Sequence, residues 1–431
     1  MNFEKQTDIL EIVDYYSDGT IKVNYTVVNG NKHGTYKTYH INGVLEKKAE
    51  YVDGELHGLY EEYDDEGILW RKAEYKKGML DGLHYVFYKN GNLWSKMSYR
   101  KGNYHGEHVS FYENEQLWLK TTFKSGKENG IYESYYKNGN PEISTSYKSG
   151  KIDGAYRSYH ENGCLKEYSN YKSGKKHGFM KSYYDSFMIK TTANYDDGQL
   201  DGPYRTFFKS GYLKYQGNYR NGKKEGVHEQ RYENGQLQME QAFVKGQRHG
   251  EGKLYFKNGQ LKRQTTYNKG LEHGKFEKYY DNGNLHVKGN YIKGKRDRYY
   301  TSFYKNGNPK KKLNYKNGSL HGACKEFYEN GTLKEETVYK RDKQHGICKV
   351  YSDIGTLIKT VRYRNGVALS DEMNIEIIDY LKSLSESERN NILSEAGGIH
   401  TSFITENVNS CIDLKDKNVD SSEIDIFIFP K

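Results

Sequence analysis

The sequence predicts an all-β protein: an elongated single-layer antiparallel meander of about 14 stacked 24-residue β-hairpin repeats, with a small α-helical C-terminal cap. Three observations predict this fold. Glycine recurs every 24 residues from Gly34 to Gly346, interrupted only at Arg298. Tyrosine or phenylalanine fills all fourteen positions from Tyr51 to Tyr363 at the same interval, and Asn-Gly recurs between tyrosine-rich runs. A fixed period without insertions indicates a repeat array.

Each repeat is predicted to be one hairpin. The consensus reads H-G-x-Y-x-x-Y-Y-x-N-G-x-L-x-x-x-x-x-Y-x-x-G-x-x, and we name each column by its residue in the copy that starts at His33. Asn-Gly predicts a two-residue turn in which both residues have positive φ. That turn sets column 36 opposite column 49 and column 39 opposite column 46. Alternation then predicts an aromatic face (columns 34, 36, 40, 45, 49 and 51) and a charged face (columns 37, 39, 41, 46 and 48).

Three regions are predicted along the chain. Residues 1–30 form a degenerate N-terminal capping repeat, residues 31–366 form the array, and residues 367–431 form an acidic tail with two short helices and a terminal strand. Met373, Ile377, Leu381 and Leu384 follow helical spacing. The tail has 13 acidic and 5 basic residues, a net charge of −8, against a net +18 for residues 1–370. It either caps the last strand or recruits a partner.

Composition predicts where the protein works. No apolar run is long enough to span a bilayer, and the N-terminus lacks the layout of a secretory signal. Four cysteines without a CxxC give no disulfide framework. We therefore expect a cytoplasmic or host-intracellular protein that is neither secreted nor transmembrane.

The three tryptophans predict a binding surface. They occupy column 46 of three successive repeats, at Trp70, Trp94 and Trp118. The predicted register sets them opposite Tyr63, Phe87 and Phe111 on the charged face, with Lys72, Lys96 and Lys120 two residues further on. An exposed aromatic ladder with a basic border is typical of a protein-binding site. Cover by the tail, a homodimer through this aromatic face, and a different register stay open as alternatives.

The turns that lead to the next hairpin carry a basic rim. Its members are Lys148, Lys151, Lys172, Lys175, Lys176, Arg220, Lys223 and Lys224. Such a rim suits anionic lipid headgroups, a nucleic-acid backbone or a solvated edge that resists aggregation. Because no nucleic-acid-binding motif accompanies it, we expect a protein partner first, anionic membrane lipids second, and no nucleic acid.

The sequence shows no catalytic motif, neither a nucleophile elbow nor a P-loop nor HExxH. Histidine recurs in column 33, but adjacent copies lie about 10 Å apart across two strand spacings, too far to share a metal. The column also accepts Asp and Asn, which suits hydrogen bonding at a turn. Cys324 and Cys348 have the same spacing and are predicted to be free thiols. We expect no enzymatic activity, no metal and no cofactor.

The pattern HG-x-Y-x-x-YY-x-NG-x-L resembles the MORN repeat (membrane occupation and recognition nexus) in its variant form, over about residues 15–366. The resemblance implies stacked hairpins that act as scaffolding, partner-binding or membrane-associated modules. Bacterial variants of the family are often described as antitoxin components. The sequence thus predicts a protein-binding scaffold, with peripheral membrane association and antitoxin-like neutralisation of a partner protein as the alternatives.

Overall fold

The computed structural model describes residues 8–373 and Ser385, and divides into two compact units that meet in sequence after Gly235. Each unit is described by itself. Apart from Ser385, the two predicted tail helices and the predicted terminal strand lie outside the described residues. No helix in the described part is long and apolar enough to cross a membrane.

The strands follow the 24-residue period, two for each repeat. In the first unit they are β1 (Ile9–Tyr15), β2 (Ile21–Val28), β3 (Asn31–Tyr39), β4 (Leu45–Val52), β5 (Glu55–Tyr63), β6 (Leu69–Lys76), β7 (Met79–Phe87), β8 (Leu93–Arg100), β9 (Asn103–Phe111), β10 (Leu117–Lys124), β11 (Lys127–Tyr135), β12 (Pro141–Lys148), β13 (Lys151–Ile152), β14 (Gly154–Tyr159), β15 (Leu165–Lys172), β16 (Lys175–Tyr183), β17 (Ile189–Asp196), β18 (Gln199–Phe207), β19 (Leu213–Arg220) and β20 (Lys223–Arg231). In the second they are β21 (Leu237–Val244), β22 (Gln247–Tyr255), β23 (Leu261–Asn268), β24 (Leu271–Tyr279), β25 (Leu285–Ile292), β26 (Lys295–Phe303), β27 (Pro309–Lys316), β28 (Ser319–Phe327), β29 (Leu333–Lys340), β30 (Lys343–Gln344), β31 (Gly346–Tyr351), β32 (Leu357–Arg364) and β33 (Val367–Met373).

Within each unit, consecutive strands pair antiparallel, which confirms the predicted all-β meander of hairpins. Two strand positions are interrupted by one residue: β13 and β14 both pair with β12, and β30 and β31 both pair with β29. The ladder continues past Gly366, because β33 pairs with β32. Met373 therefore ends a strand, whereas the sequence assigned it to helical spacing.

The Asn-Gly turns are wider than predicted. Between β3 and β4, the Gly43 N–H donates to the His40 carbonyl at 2.9 Å, and only Gly43 in this turn has a positive φ, of 80°. The Asn42 side chain accepts the Val44 N–H at 3.0 Å, a local bond that keeps Asn42 at negative φ. The result is a type I turn followed by a left-handed glycine. The predicted two-residue turn is wrong here.

Two-residue turns do occur, at the opposite ends of the strands. Between β4 and β5, Asp53 and Gly54 have φ of 50° and 83°, and Val52 pairs directly with Glu55. Positive φ at both central residues defines a type I′ turn, whose twist matches that of the strands. The second glycine of the consensus thus makes the tight turn that the sequence assigned to the first.

The wider turn changes the register beside it. Tyr39 pairs with Leu45, and Thr38 pairs with Lys47. Column 46 is therefore the extra residue of a β-bulge, with no direct partner across the hairpin. Further from the turn, Tyr36 pairs with Ala49 as predicted. The predicted register is right in the middle of each hairpin and wrong at its Asn-Gly end.

One face of the sheet, the tyrosine face, consists of columns 36, 38, 47, 49 and 51. Tyr36 and Tyr51 meet edge to face at 5.6 Å between ring centroids, and such pairs contribute about 0.5–1.5 kcal/mol beyond burial. Between the rings, the small column-49 residues Ala49 and Ala73 are wholly buried. The core of each single layer is thus a row of small residues covered by aromatic rings. The charged face consists of columns 35, 37, 39, 48 and 50.

Candidate functional site

Column 46, which holds the tryptophans, belongs to the tyrosine face. In the hairpin of β11 and β12, the Ser134 hydroxyl of column 38 donates to Glu142 of column 46 at 3.0 Å. In the hairpin of β28 and β29, Lys334 Nζ of column 46 lies 4.0 Å from the Glu326 carboxylate of column 38. The bulge turns its extra side chain to this face. The prediction that column 46 lies on the charged face is wrong. It assumed a two-residue turn, which leaves no extra residue to form a bulge.

Two of the three tryptophans pack on the column-40 residue at the start of the turn. Trp94 packs on Tyr88 with 6.5 Å between ring centroids, and Trp118 packs on Tyr112 at 6.0 Å. The tyrosine hydroxyls are held from the other side, since Tyr88 donates to the Phe111 carbonyl of the next repeat at 3.0 Å. Hydrogen bonds between repeats therefore fix the rings on which these tryptophans rest.

In the hairpin of Trp70, column 40 is Asp64 instead of a tyrosine. The Asp64 carboxylate accepts the N–H groups of Glu66 at 3.1 Å and Ile68 at 2.8 Å, which fixes the turn. Trp70, Trp94 and Trp118 are 41%, 40% and 39% exposed. We call these three residues, with the turns 64–68, 88–92 and 112–116, the tryptophan edge. The structure thus keeps the predicted exposure of all three indoles.

The rest of the predicted aromatic ladder does not form. Tyr63, Phe87 and Phe111 pair with Leu69, Leu93 and Leu117, not with the tryptophans. Column 39 lies on the charged face, where Phe87 stacks on Tyr85 at 6.3 Å. The physical reason is the bulge, which moves column 46 out of register with column 39. The predicted ladder of six rings is two separate sets on opposite faces.

The predicted basic border also lies on the charged face. Lys72 Nζ is 3.3 Å from the Glu61 carboxylate, and Lys120 Nζ is 3.2 Å from Glu107. The Lys96 ammonium lies 5.9 Å from the ring centre of Tyr85. These contacts lie on the charged face, which carries column 48, and not on the face that carries the tryptophans. The tryptophan edge is therefore without the lysine border that the sequence predicted.

The basic rim is only partly a rim. Lys148, Lys151, Lys172, Lys175, Arg220 and Lys223 are exposed beside the type I′ turns. Lys176 and Lys224 turn onto the tyrosine face, 5.6 Å from the rings of Tyr195 and Tyr215. Lys176 also pairs with Glu167 at 2.5 Å, and although burial opposes it, this pairing leaves the pKa of Lys176 above its ordinary value. Column 56 therefore serves the core.

The structure also answers the column-33 and cysteine predictions. Asp153 Oδ2 accepts the Ser173 N–H of a type I′ turn at 2.9 Å, and Asp297 accepts the Asn317 N–H at 3.1 Å. A turn-bonding role is thus confirmed for these members. Cys324 and Cys348 are both buried, and neither is in a disulfide bond. In the described residues, no group of three or more His, Cys, Asp or Glu side chains is placed to hold a metal ion.

The family model for the MORN repeat variant matches twelve segments of the chain. They are residues 32–53, 56–77, 80–101, 104–125, 128–149, 152–173, 200–221, 224–245, 248–269, 272–293, 299–317 and 320–341. These segments span more than half of the chain. The chain belongs to the MORN repeat variant family.

Comparisons of this MORN-variant chain with other proteins add little. No curated protein matches it. A mutant of the Photorhabdus luminescens Tc holotoxin pore is 10% identical, with a TM-score of 0.16, over 86% of this chain and 23% of that one. A TcdB2–TccC3 structure is 12% identical, with a TM-score of 0.13, over 86% of this chain and 29% of that one. The chain spans less than a third of either protein.

Sequence reasoning missed the contact between columns 40 and 46 in the MORN-variant repeat. In six hairpins a column-46 lysine places its ammonium 5.5–5.8 Å from the centre of a column-40 ring: Lys22 on Tyr16, Lys190 on Tyr184, Lys214 on Phe208, Lys262 on Phe256, Lys310 on Tyr304 and Lys334 on Tyr328. The signal was the recurrence of lysine six residues after an aromatic residue. The tryptophans replace these lysines.

Proposed function

We propose that this MORN-variant chain is a non-enzymatic binding scaffold that takes a partner protein on the tryptophan edge. The observation that carries the proposal is the two-fifths exposure of Trp70, Trp94 and Trp118 in three successive hairpins. Exposed tryptophans on a rigid surface are the usual centres of protein interfaces. The hydrogen-bonded Tyr88 and Tyr112 support two of the indoles from below, so little ordering is needed on binding.

The proposal is tested by changing all three tryptophans to lysine. Lysine occupies the same column in seven other hairpins, so Trp70→Lys, Trp94→Lys and Trp118→Lys together should leave the fold intact, as circular dichroism would verify. We expect proteins captured from a lysate of the source cells by the unchanged chain to be lost from the variant.

A matched control changes the other face. Lys72→Gln, Lys96→Gln and Lys120→Gln alter three residues of the same repeats but leave the indoles in place, and capture should persist. Equal capture by the tryptophan variant and the unchanged chain, or loss only with the lysine control, would overturn the proposal.

A second candidate function is peripheral association with anionic membranes, favoured by the six exposed basic residues beside the type I′ turns. Each contacting Lys or Arg can contribute about 1 kcal/mol at an anionic surface. Flotation with phosphatidylserine vesicles at low and high salt tests it, using glutamine at those six positions as the variant. Flotation that is absent, or that the variant retains, would exclude this function.

A further inference from the structure

The tryptophan edge differs from six of the other turns at this end of the strands in what covers the column-40 ring. In six hairpins a lysine of the chain itself supplies a cation to that ring. At Tyr88 and Tyr112 an indole takes this place. Tryptophan has the strongest attraction for cations among the aromatic side chains. The hairpins of Tyr88 and Tyr112 therefore present additional π faces where those six hairpins present a positive charge.

The charges around the indoles are acidic. The turns of the tryptophan edge contain Asp64, Asp65, Glu66, Glu113 and Glu115 against Lys89, a net charge of −4. The corresponding turns 160–164, 184–188 and 208–212 contain Glu161 and Asp185 against Lys209, and column 46 adds Lys166, Lys190 and Lys214, a net charge of +2. The sign of this edge of the first unit thus reverses between the two sets of hairpins.

The acidic side chains are available to a partner. Asp65, Glu66, Glu113 and Glu115 are exposed. Glu66 lies 3.5 Å from Lys89 Nζ, an exposed pair that binding could exchange. The acidic charge also acts on the ring beside Trp94. The pKa of Tyr88 is raised, first by burial and then by the Glu113 carboxylate. The predicted lysine border, which would have repelled cations, is on the charged face.

We propose that the tryptophan edge binds a basic segment of the partner protein, whose lysine or arginine side chains stack on the indoles inside this acidic border. The inference rests on the proposed function and adds the chemistry of the partner. It follows from charge complementarity, which steers and orients association, and from the cation–π contacts that the chain makes with its own lysines at the equivalent rings.

Spacing narrows the shape of that segment. Indoles in successive hairpins lie about 10 Å apart, two strand spacings. A polyproline II helix has three residues per turn and rises about 3.1 Å per residue, so every third side chain points the same way at about 9 Å intervals. A basic residue at every third position of such a segment would meet one indole in each hairpin.

The test uses a fluorescein-labelled (Lys-Pro-Pro)4 peptide and anisotropy at low ionic strength. We expect it to bind the full chain, and to bind the Trp94→Lys, Trp118→Lys variant at least tenfold more weakly. The same peptide with acetylated lysines, and a (Glu-Pro-Pro)4 peptide, should not bind. The control variant Lys190→Ala, Lys214→Ala, changed in the same column of other hairpins, should bind as well as the unchanged chain.

Other outcomes would overturn the inference. Equal binding of the acetylated peptide, or equal affinity of the double tryptophan variant, would mean that no cation sits on the indoles. A variant with Asp65→Asn, Glu113→Gln and Glu115→Gln should lose several-fold in affinity. If only this acidic variant loses binding, simple charge attraction explains the result and the inference fails.

A second readout needs no partner, since all three tryptophans of the chain lie in this edge. Relative to the quenching of free tryptophan by each ion, caesium should quench their fluorescence more than iodide does at low salt, and the difference should close at high salt. Equal quenching would show that no acidic border surrounds the indoles. A protein captured through the tryptophans that (Lys-Pro-Pro)4 does not displace would leave the proposed function standing and refute the basic partner.

Discussion

At the scale of single residues, the array holds its backbone shape even where the sequence changes. Glu115 and Phe187 replace the Asn-Gly glycine, and Arg298 replaces the column-34 glycine, yet their φ angles are 65°, 66° and 65°. A left-handed conformation costs a residue with a side chain roughly 1–2 kcal/mol. Neighbouring repeats therefore impose a geometry that these residues would not choose alone.

Replacing Arg298 by glycine should raise the free energy of unfolding by roughly 1 kcal/mol, because the strain is relieved at some entropic cost. The Arg298 side chain is 75% exposed, and its Nε lies 4.0 Å from the Asp297 carboxylate, a pair whose loss matters little. Urea unfolding measures the change. The reverse substitution, Gly250→Arg at a φ of 72°, should destabilise the chain. An unchanged or lower midpoint for Arg298→Gly would show that the left-handed conformation of Arg298 is unstrained.

Buried histidines give the fold a pH dependence. His228 is wholly buried, with the Tyr215 hydroxyl donating to Nδ1 and Nε2 lying 2.9 Å from the Asn218 carbonyl. Burial, and then the Lys224 charge, lowers the pKa of His228 to about 4. The folded chain therefore holds this imidazole neutral, with its proton on Nε2.

Stability should fall as the pH drops below about 6.5, because histidine in the unfolded chain then binds a proton whereas His228 in the folded chain stays neutral. The loss ends near pH 4, and at pH 5 it amounts to about 2 kcal/mol from this residue. His228→Phe should flatten the profile between pH 7.5 and pH 5, as urea unfolding at both values would measure. A variant profile as steep as the original would assign the dependence to other groups.

At the scale of the hairpin, a large side chain in one column pairs with a small side chain in the other, and one pair has the large and small positions reversed. Column 36 is usually aromatic and pairs with a small column-49 residue, as Tyr60 does with Ala49. Between β21 and β22 the sizes are reversed, because Gly252 pairs with Gln241, whose side chain is wholly buried. A Cβ on Gly252 would collide with Gln241 Oε1. The glutamine fills the space that an aromatic ring fills elsewhere.

Restoring the common pattern should therefore require two changes. Gly252→Tyr alone should destabilise by roughly 1–3 kcal/mol through overpacking, and Gln241→Ala alone should leave a void. Together they should cost less than the sum, with a coupling on the order of 1 kcal/mol or more. A double-mutant cycle from urea unfolding measures it. Additive effects would mean that the two positions do not share one space.

At the scale of the whole molecule, the described strands of each unit pair with the strands next to them in sequence, so stability should be close to a sum over repeats. Deleting residues 199–222, which removes β18 and β19 and joins two type I′ turns in phase, should leave a folded chain with a lower unfolding midpoint. Deleting 199–221 shifts the phase by one residue, which exchanges the faces. Circular dichroism and urea unfolding should show a much larger loss for the shorter deletion.

How much of the fold could be predicted from the sequence depends on whether the residues responsible act locally. The period, the hairpins and the pairing of Tyr36 with Ala49 follow from residues whose chemistry is local: glycine at turns and alternation along strands. The position of the tryptophans was not visible, because it depends on one extra residue beside the Asn-Gly turn. The hydrogen bond from the Val44 N–H to the Asn42 side chain fixes the wider turn that creates this extra residue. The Asn-Gly dipeptide alone does not reveal that bond.

The candidate site shows the same division. Its three indoles and their exposure were predictable from Trp70, Trp94 and Trp118 in one column. Their companions were not, since a shift of one residue moves a side chain across the sheet. The amino-acid sequence by itself determined the repeat, its strands and its unusual column. Only the tertiary structure decided that the indoles lie with acidic turns rather than lysines, because the bulge selects the face.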